Sequence, residues 1–157
     1  MVVFYIVRHG ITELNEKGRL QGQIDSPLTN NGYKDAFYLA KKLERNKFDA
    51  IFSSDLGRAF ITAHIIADKL KLTNKLFKAK QFREIDFGDL TAKYREEVKS
   101  EYNKIKDNCD IIAPNGESYS DVKKRVIKNL FLLSKKGYKK VLIVTHSGCI
   151  RSIMSEA

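Results

Sequence analysis

Cysteine is scarce in this chain. Cys109 and Cys149 are the only two, too few for a disulfide framework and without C-x-x-C spacing, so both read as reduced thiols. Long apolar runs are missing too. The stretch Met1–Val7 is far shorter than the roughly 20 residues a membrane helix needs, and it lacks the basic leader and small-residue cleavage site of a secretory signal. A cytosolic location with no membrane partner is the expectation. Acidic residues are in deficit, 19 Asp and Glu against 29 Lys and Arg, for a net charge of +10. That excess invites a nucleic-acid reading, but 21 of the 29 are Lys, spread from Lys17 to Lys140 among Glu and Asp. There is no basic tail and no aromatic-basic RNA motif. A lysine-rich solvated surface is expected instead, with no nucleic-acid partner, and its field would help to draw in a small anion. Repeats, linkers and low-complexity tracts are also absent. At 157 residues the chain reads as one domain, able to bury roughly two-thirds of its unfolded surface without disulfides or metals.

Histidine is rare as well, with three in the chain, and two of them stand in equivalent places. Val2–Gly10, VVFYIVRHG, is an uncharged run that breaks into Arg8-His9-Gly10. The run reads as a central strand covered on both faces. Arg8 and His9 fall at its carboxyl end, where open α/β sheets bind ligands, and Gly10 permits a close backbone turn. An anion site and an ordinary strand with a polar end both fit this stretch taken alone. Val141–Gly148, VLIVTHSG, repeats the design with Thr145, His146, Ser147 and Gly148, and the repetition favours a shared site. His64, mid-helix with nothing to pair with it, is assigned to packing or surface.

Between these strands, Ile11–Gln23 reads as loop. Thr29 is an N-cap for a helix running to about Asn46, with Tyr33, Ala36, Phe37, Ala40 and Leu43 inward. Phe48–Ser53 is a second buried strand. It leads into a helix ending near Leu70 with Ala59, Ala63, Ile66, Ala67 and Leu70 inward. Arg58 sits in the first turn of that helix, on the sheet edge of Arg8 and His9. A cation there opposes the helix dipole unless an anion compensates it. Leu76–Phe82 reads as a further strand, followed by a loop carrying Glu84. Tyr94–Lys106 reads as a weakly amphipathic, exposed and mobile helical cap, and Cys109–Gly116 as loop. Ser118 caps a helix with Asp121 in its first turn and Val122, Val126, Leu130 and Leu133 inward to about Lys135. Gly137 ends it, and Gly148–Ala157 starts a last helix. The order β-α-β-α-β-α-α-β-α predicts a three-layer αβα sandwich with a mostly parallel central sheet.

With Arg8-His9-Gly10, Asn15, Arg58, Glu84 and His146 in hand, the sequence resembles the histidine phosphatase superfamily, in the branch that includes the cofactor-dependent phosphoglycerate mutases. The likeness runs through almost the whole chain. It rests on R-H-G joined by G-Q-I-D-S-P-L-T-N-N-G (Gly22–Gly32), S-S-D-L-G-R-A (Ser53–Ala59), N-G-E-S (Asn115–Ser118) and V-T-H-S-G-C-I-R (Val144–Arg151). The resemblance implies a phosphoglycerate mutase-like fold over residues 1–157, with a cap segment at about 90–114. It implies His9 as a nucleophile forming a phosphohistidine, with Arg8, Asn15, Arg58 and His146 on the phosphate oxygens and Glu84 as proton donor. Gly10, Gln21, Gly22, Ser147 and Gly148 are implied substrate contacts. No cofactor or metal is expected, since arginines beside the two histidines would repel a cation.

The chemistry suits these roles. Phosphate monoester hydrolysis needs a very large barrier reduction, mostly by positioning and charge stabilisation. Arginine forks hold phosphate oxygens bidentately and keep their charge. The same cations favour the neutral, nucleophilic form of His9. Glu84 must arrive protonated, which burial would promote. The mutases carry a long insert between the acid and N-G-E-S, whereas Ile85–Pro114 is short. E-I-D-F-G-D-L is similar to the small phosphatases, such as the α-ribazole phosphatases. Hydrolysis of a small phosphorylated metabolite is therefore expected, α-ribazole 5'-phosphate being one candidate. Mutase activity and a non-catalytic phosphate-binding module are the alternatives. Two departures stand out. Ala92 replaces the family's usual glycine, and relatives continue with a helix and a strand beyond this chain's last residue. Ile150, Ile153 and Met154 are then expected to lack cover, to lower stability and to leave room for a homodimer.

Overall fold

The computed structural model describes residues 1–154. Four strands form one sheet: β1 (Val3–Arg8), β2 (Ala50–Ser53), β3 (Leu76–Lys78) and β4 (Lys140–Thr145). They lie in the order β1-β4-β2-β3, and every pairing is parallel. Six helices accompany them: α1 (Glu13–Glu16), α2 (Asn30–Leu43), α3 (Gly57–Lys69), α4 (Lys99–Asp107), α5 (Tyr119–Ser134) and α6 (Ser147–Met154). Alternation along β4 divides the core. Leu142 and Val144 join Ala40, Ala63 and Ile66 under α2 and α3. Val141 and Ile143 join Val122, Val126 and Cys149 under α5 and α6. The sheet lies between two helical layers, so the three-layer fold is as expected.

The order of strands corrects one expectation. β4, not β1, is the fully covered strand, because it pairs on both edges. β1 pairs with β4 alone among the described residues and is only half-buried. Its exit is nevertheless tightly held. Gly10 and Gly32 sit so close that a Cβ on Gly10 would run into the Gly32 backbone, and a Cβ on Gly32 into that of Ile11. The first turn of α2 is thereby pressed against the segment that follows His9, and only glycine allows that approach.

Several boundaries move for local reasons. Thr12 and Asn15 form a capping box that winds one helical turn, α1, inside the expected loop. α2 buries the small stripe Gly32, Ala36, Ala40 and Leu43, while Tyr33 and Phe37 stay exposed. Leu70 at the end of α3 is half-buried, whereas Ala59, Ala63, Ile66 and Ala67 are fully inside. β3 stops at Lys78. After Ala79 N–H bonds Ser53 O (2.7 Å), the chain turns at Lys80–Phe82. The Phe82 carbonyl is captured there by the Thr145 hydroxyl (2.7 Å), which draws the segment over the sheet edge.

The cap helix α4 begins later than expected because residues 92–95 pair with 18–20. Ala92 N–H bonds Leu20 O (2.7 Å), Leu20 N–H bonds Lys93 O (3.0 Å) and Arg95 N–H bonds Gly18 O (2.9 Å). Nor is the cap merely surface, since Val98 and Ile105 are buried in the core. Ala92 takes φ +66°, the left-handed conformation that explains a glycine preference at this place. α5 starts on the expected box between Ser118 and Asp121. In α6, Ile153 packs on the core while Met154 is exposed. The remainder of the expected last helix, residues 155–157, lies outside the described residues. No helix among the described residues is long and apolar enough to cross a membrane.

Candidate active site

His9 and His146 meet at the carboxyl edge of the sheet because β1 and β4 are neighbours in register, Arg8 opposite Thr145. The His9 N–H continues the ladder to Thr145 O (3.0 Å). The two rings lie 5.0 Å apart between centroids. His9 Nδ1 lies 2.7 Å from the Gly10 carbonyl, which can only accept, so Nδ1 carries the proton. Nε2 is left as a lone pair and accepts from Arg58 Nε at 3.3 Å. Burial first, and the Arg58 charge next, push the His9 pKa down to about 3. The ring is therefore neutral near pH 7, with its nucleophilic nitrogen fixed in one tautomer.

His146 is fully buried, and neither ring nitrogen has a hydrogen-bond partner among the described residues. Burial and then Arg58 hold its pKa well below the usual value. An unpaired buried polar group costs about 1–3 kcal/mol, which a ligand oxygen accepting the imidazole N–H would recover. Gln21 Oε1 is likewise buried without a partner.

Arg58, 1% exposed, is held on three further sides. Nη1 donates to Ile24 O (2.7 Å) and Asp25 Oδ1 (3.2 Å), and Nη2 to Gly22 O (2.8 Å). Asp25 also accepts the N–H groups of Gly57 and Arg58 at the start of α3, where Leu56 offers no cap of its own. The anion that this helix end requires is thus partly built in. The sequence does not single out Asp25, which lies 32 positions from the helix start that it caps, where Ser54 and Asp55 stand nearer in the chain. Thr62, equally unanticipated, accepts the Gly10 N–H (3.0 Å) and donates to Arg58 O (2.8 Å), joining the two halves of the cup.

Glu84 is 7% exposed. Its Oε1 accepts the N–H groups of Ile85 (3.0 Å) and Gly148 (2.9 Å), and its Oε2 the Ser147 hydroxyl (3.3 Å). Any Cβ at residue 148 would collide with the carboxylate. Burial raises its pKa, against the opposing effects of the Ile85 N–H, Arg58, the Gly148 N–H and Arg8. The net direction is that of an acid which retains its proton to higher pH than an ordinary glutamate.

These groups open into one cleft of about 40 Å³ lined by Arg8, His9, Asn15, Gln21, Gly22, Arg58, Glu84, Ser147 and Gly148. Gly10 and His146 are not among its lining residues: Gly10 N–H is bonded to Thr62, and the His146 ring reaches the site only through its contact with the His9 ring. Asn15 spends its side-chain oxygen on Thr12, leaving its amide N–H groups for the cleft. Ser147 and Gly148 bond the Glu84 carboxyl, a role their expected substrate contacts did not include. The lining also includes Arg19, Arg95, Tyr102 and Tyr119, none of them foreseen. His64 is exposed, as expected. A larger groove, about 750 Å³, lies along α5 beside Ile127 and Phe131 and shares Tyr119 with the cleft, but none of the histidine, arginine or glutamate side chains of the site line it.

A narrow cationic cup with two neutral imidazoles and a shielded carboxyl, at the carboxyl edge of a parallel sheet, defines an enzyme that works on a phosphate group. The chain belongs to the histidine phosphatase superfamily, branch 1, whose family model matches residues 4–157. It is similar to phosphoserine phosphatase 1 of Hydrogenobacter thermophilus, at 33% identity over 98% of this chain and 74% of that protein. The crystal structure of a phosphoglycerate mutase from Bacillus anthracis superposes with a TM-score of 0.87 at 27% identity, covering 98% and 78% of the two chains. The α-ribazole phosphatase from Shigella flexneri gives 0.81 at 28% identity, covering 94% and 75%. The protein is a phosphatase of this superfamily.

Proposed function

We propose that the chain hydrolyses a small phosphomonoester in two steps. His9 Nε2 attacks phosphorus and the P–O bond to the alcohol breaks, while the departing oxygen takes the proton of Glu84. Water then attacks the phosphohistidine and gives its proton to the Glu84 carboxylate, the N–P bond breaks, and inorganic phosphate leaves. Arg8, Arg58, the Asn15 amide and His146 hold the phosphoryl oxygens through both displacements, where charge stabilisation carries most of the barrier reduction. The observation that carries this reading is the His9 tautomer, with Nδ1–H tied to Gly10 O and Nε2 an unprotonated lone pair that accepts only from Arg58 Nε.

The cleft accommodates little beyond the phosphate head, and the lining side chains left to meet the alcohol are Arg19, Arg95, Tyr102 and Tyr119. α-Ribazole 5'-phosphate, phosphoserine and 3-phosphoglycerate are the substrates to compare, the first from the notable E-I-D-F-G segment and the others from the relatives' names. The short stretch Ile85–Pro114 favours hydrolysis over phosphoryl return to the product. The test is a rapid quench into alkaline denaturant with radiolabelled phosphomonoester. Label is expected on His9, absent in His9→Ala, with inorganic phosphate as product. Phosphate release without labelled histidine on any timescale overturns the mechanism, and an isomerised phosphate ester as product makes the enzyme a mutase.

A further inference from the structure

The geometry points to Glu117 and Arg125 as positioning residues that aim the Glu84 carboxyl by clamping the backbone on which it is carried. The inference rests on Glu84 acting as the proton donor.

The Arg125 side chain of α5 makes a two-pronged ion pair with Glu117, Nε to Oε1 and Nη2 to Oε2, both at 3.0 Å. A pair serving only to fasten α5 to its own approach segment would need nothing more. Here the remaining hydrogen-bonding capacity goes to the segment bearing the acid. Arg125 donates from Nη1 to Gln81 O (2.7 Å) and from Nη2 to Glu84 O (3.1 Å). Glu117 Oε2 accepts the Asp86 N–H (3.0 Å), and the Glu117 N–H bonds Asp86 O (2.9 Å). The bonds therefore bracket Glu84 from residue 81 to residue 86.

The mechanical link is a single peptide unit. The carbonyl of Glu84 and the N–H of Ile85 belong to one rigid plane. Arg125, with Gln23 Nε2 at 3.3 Å, holds its oxygen. Its N–H donates to the Glu84 carboxyl at 3.0 Å. Releasing the oxygen lets the plane rotate and withdraws one of the N–H groups that fix the carboxyl. Arg58 and Arg8 are the charges felt most at Glu84, so the clamp acts through placement. A misplacement on the order of 1 Å costs about 100-fold in a well-oriented reaction.

A positioning role has a signature that loss of fold lacks. Proton donation matters for an alkyl leaving group and little for p-nitrophenolate, which departs as a stable anion. The value of kcat/KM for glycerol 2-phosphate and for p-nitrophenyl phosphate, with the inhibition constant of inorganic phosphate, is measured for the wild type, Glu117→Gln, Arg125→Lys and Glu84→Gln. Glu84→Gln is expected to lose about 100-fold or more on the alkyl ester and far less on p-nitrophenyl phosphate, because kcat/KM ends at phosphohistidine formation and leaves out the later water attack that Glu84 also serves. Glu117→Gln and Arg125→Lys are expected to lose about 10- to 100-fold on the alkyl ester. They should stay within roughly 3-fold on p-nitrophenyl phosphate and on phosphate inhibition, an intact cup being preserved. Equal losses on both esters, or no loss on either, with Glu84→Gln still selective, overturn the proposal and leave Glu84 as the acid. If Glu84→Gln shows no selectivity, the acid assignment itself fails and the clamp has nothing to position. Should Arg125→Lys prove unfolded, Glu117→Gln decides, since it keeps the side chain's shape.

Discussion

Acidification should destabilise the unliganded protein through His9, by an amount the structure sets. The folded-state pKa is depressed, from 6.5 to about 3. Above pH 6.5 neither folded nor unfolded chain protonates this ring, so it contributes no pH dependence. Between 6.5 and about 3 the unfolded chain binds a proton that the folded one refuses, and stability falls as pH falls. Each pH unit below 6.5 costs about 1.4 kcal/mol, so moving from about pH 8 to about pH 5 removes roughly 2 kcal/mol through His9. His146 is depressed for the same reason and pulls in the same direction. Glu84 pulls the other way: its folded pKa is raised, so as pH climbs past 4.5 the unfolded chain releases a proton that the folded one keeps. The assay that isolates His9 is urea unfolding of wild type and His9→Asn at both pH values. Asn keeps an oxygen for Arg58 but does not titrate, and His146 and Glu84 remain in both proteins. The variant should lose about 2 kcal/mol less than the wild type on acidification. If both lose equally, the reasoning from burial and the Arg58 charge is refuted.

Two further outcomes are expected. Thr62→Val keeps the shape but strips the Gly10 N–H of its acceptor, so urea unfolding should show a loss of about 1–3 kcal/mol; an unchanged stability would mean that Gly10 finds another partner. Ala92→Gly removes a side chain from a left-handed backbone position and should stabilise by about 1 kcal/mol, read as a rise in Tm of about 2–4 °C; a lower Tm would show that chain entropy outweighs the relieved strain.

The candidate site was legible to an unusual depth because its two halves are short, local statements. Each is an apolar strand broken by a histidine with a glycine close behind. Arg58 declared itself as a cation at a helix start where none is comfortable. Glu84 came through the resemblance. What supports these groups was not legible. Asp25 reaches Arg58 across 33 positions, Thr62 reaches Gly10 across 52, and Arg125 reaches Glu84 across 41. No periodicity links residues so far apart, and each bond exists only because parallel strands and their crossover helices return the chain to one sheet edge.

The sequence by itself determined the alternation of strands and helices, the caps at Thr29 and Ser118, and the identity of the imidazoles and guanidiniums. Such features depend on residues within about one helical turn of each other. Only the tertiary structure decided that β4 rather than β1 is the covered strand, that β3 ends at Lys78, and that Arg125 of α5, paired with Glu117, bonds the backbone of Glu84. Those outcomes depend on which edges pair and which carbonyls are captured after the chain has closed on itself, and hydrogen bonding between distant segments is a property of the assembled fold.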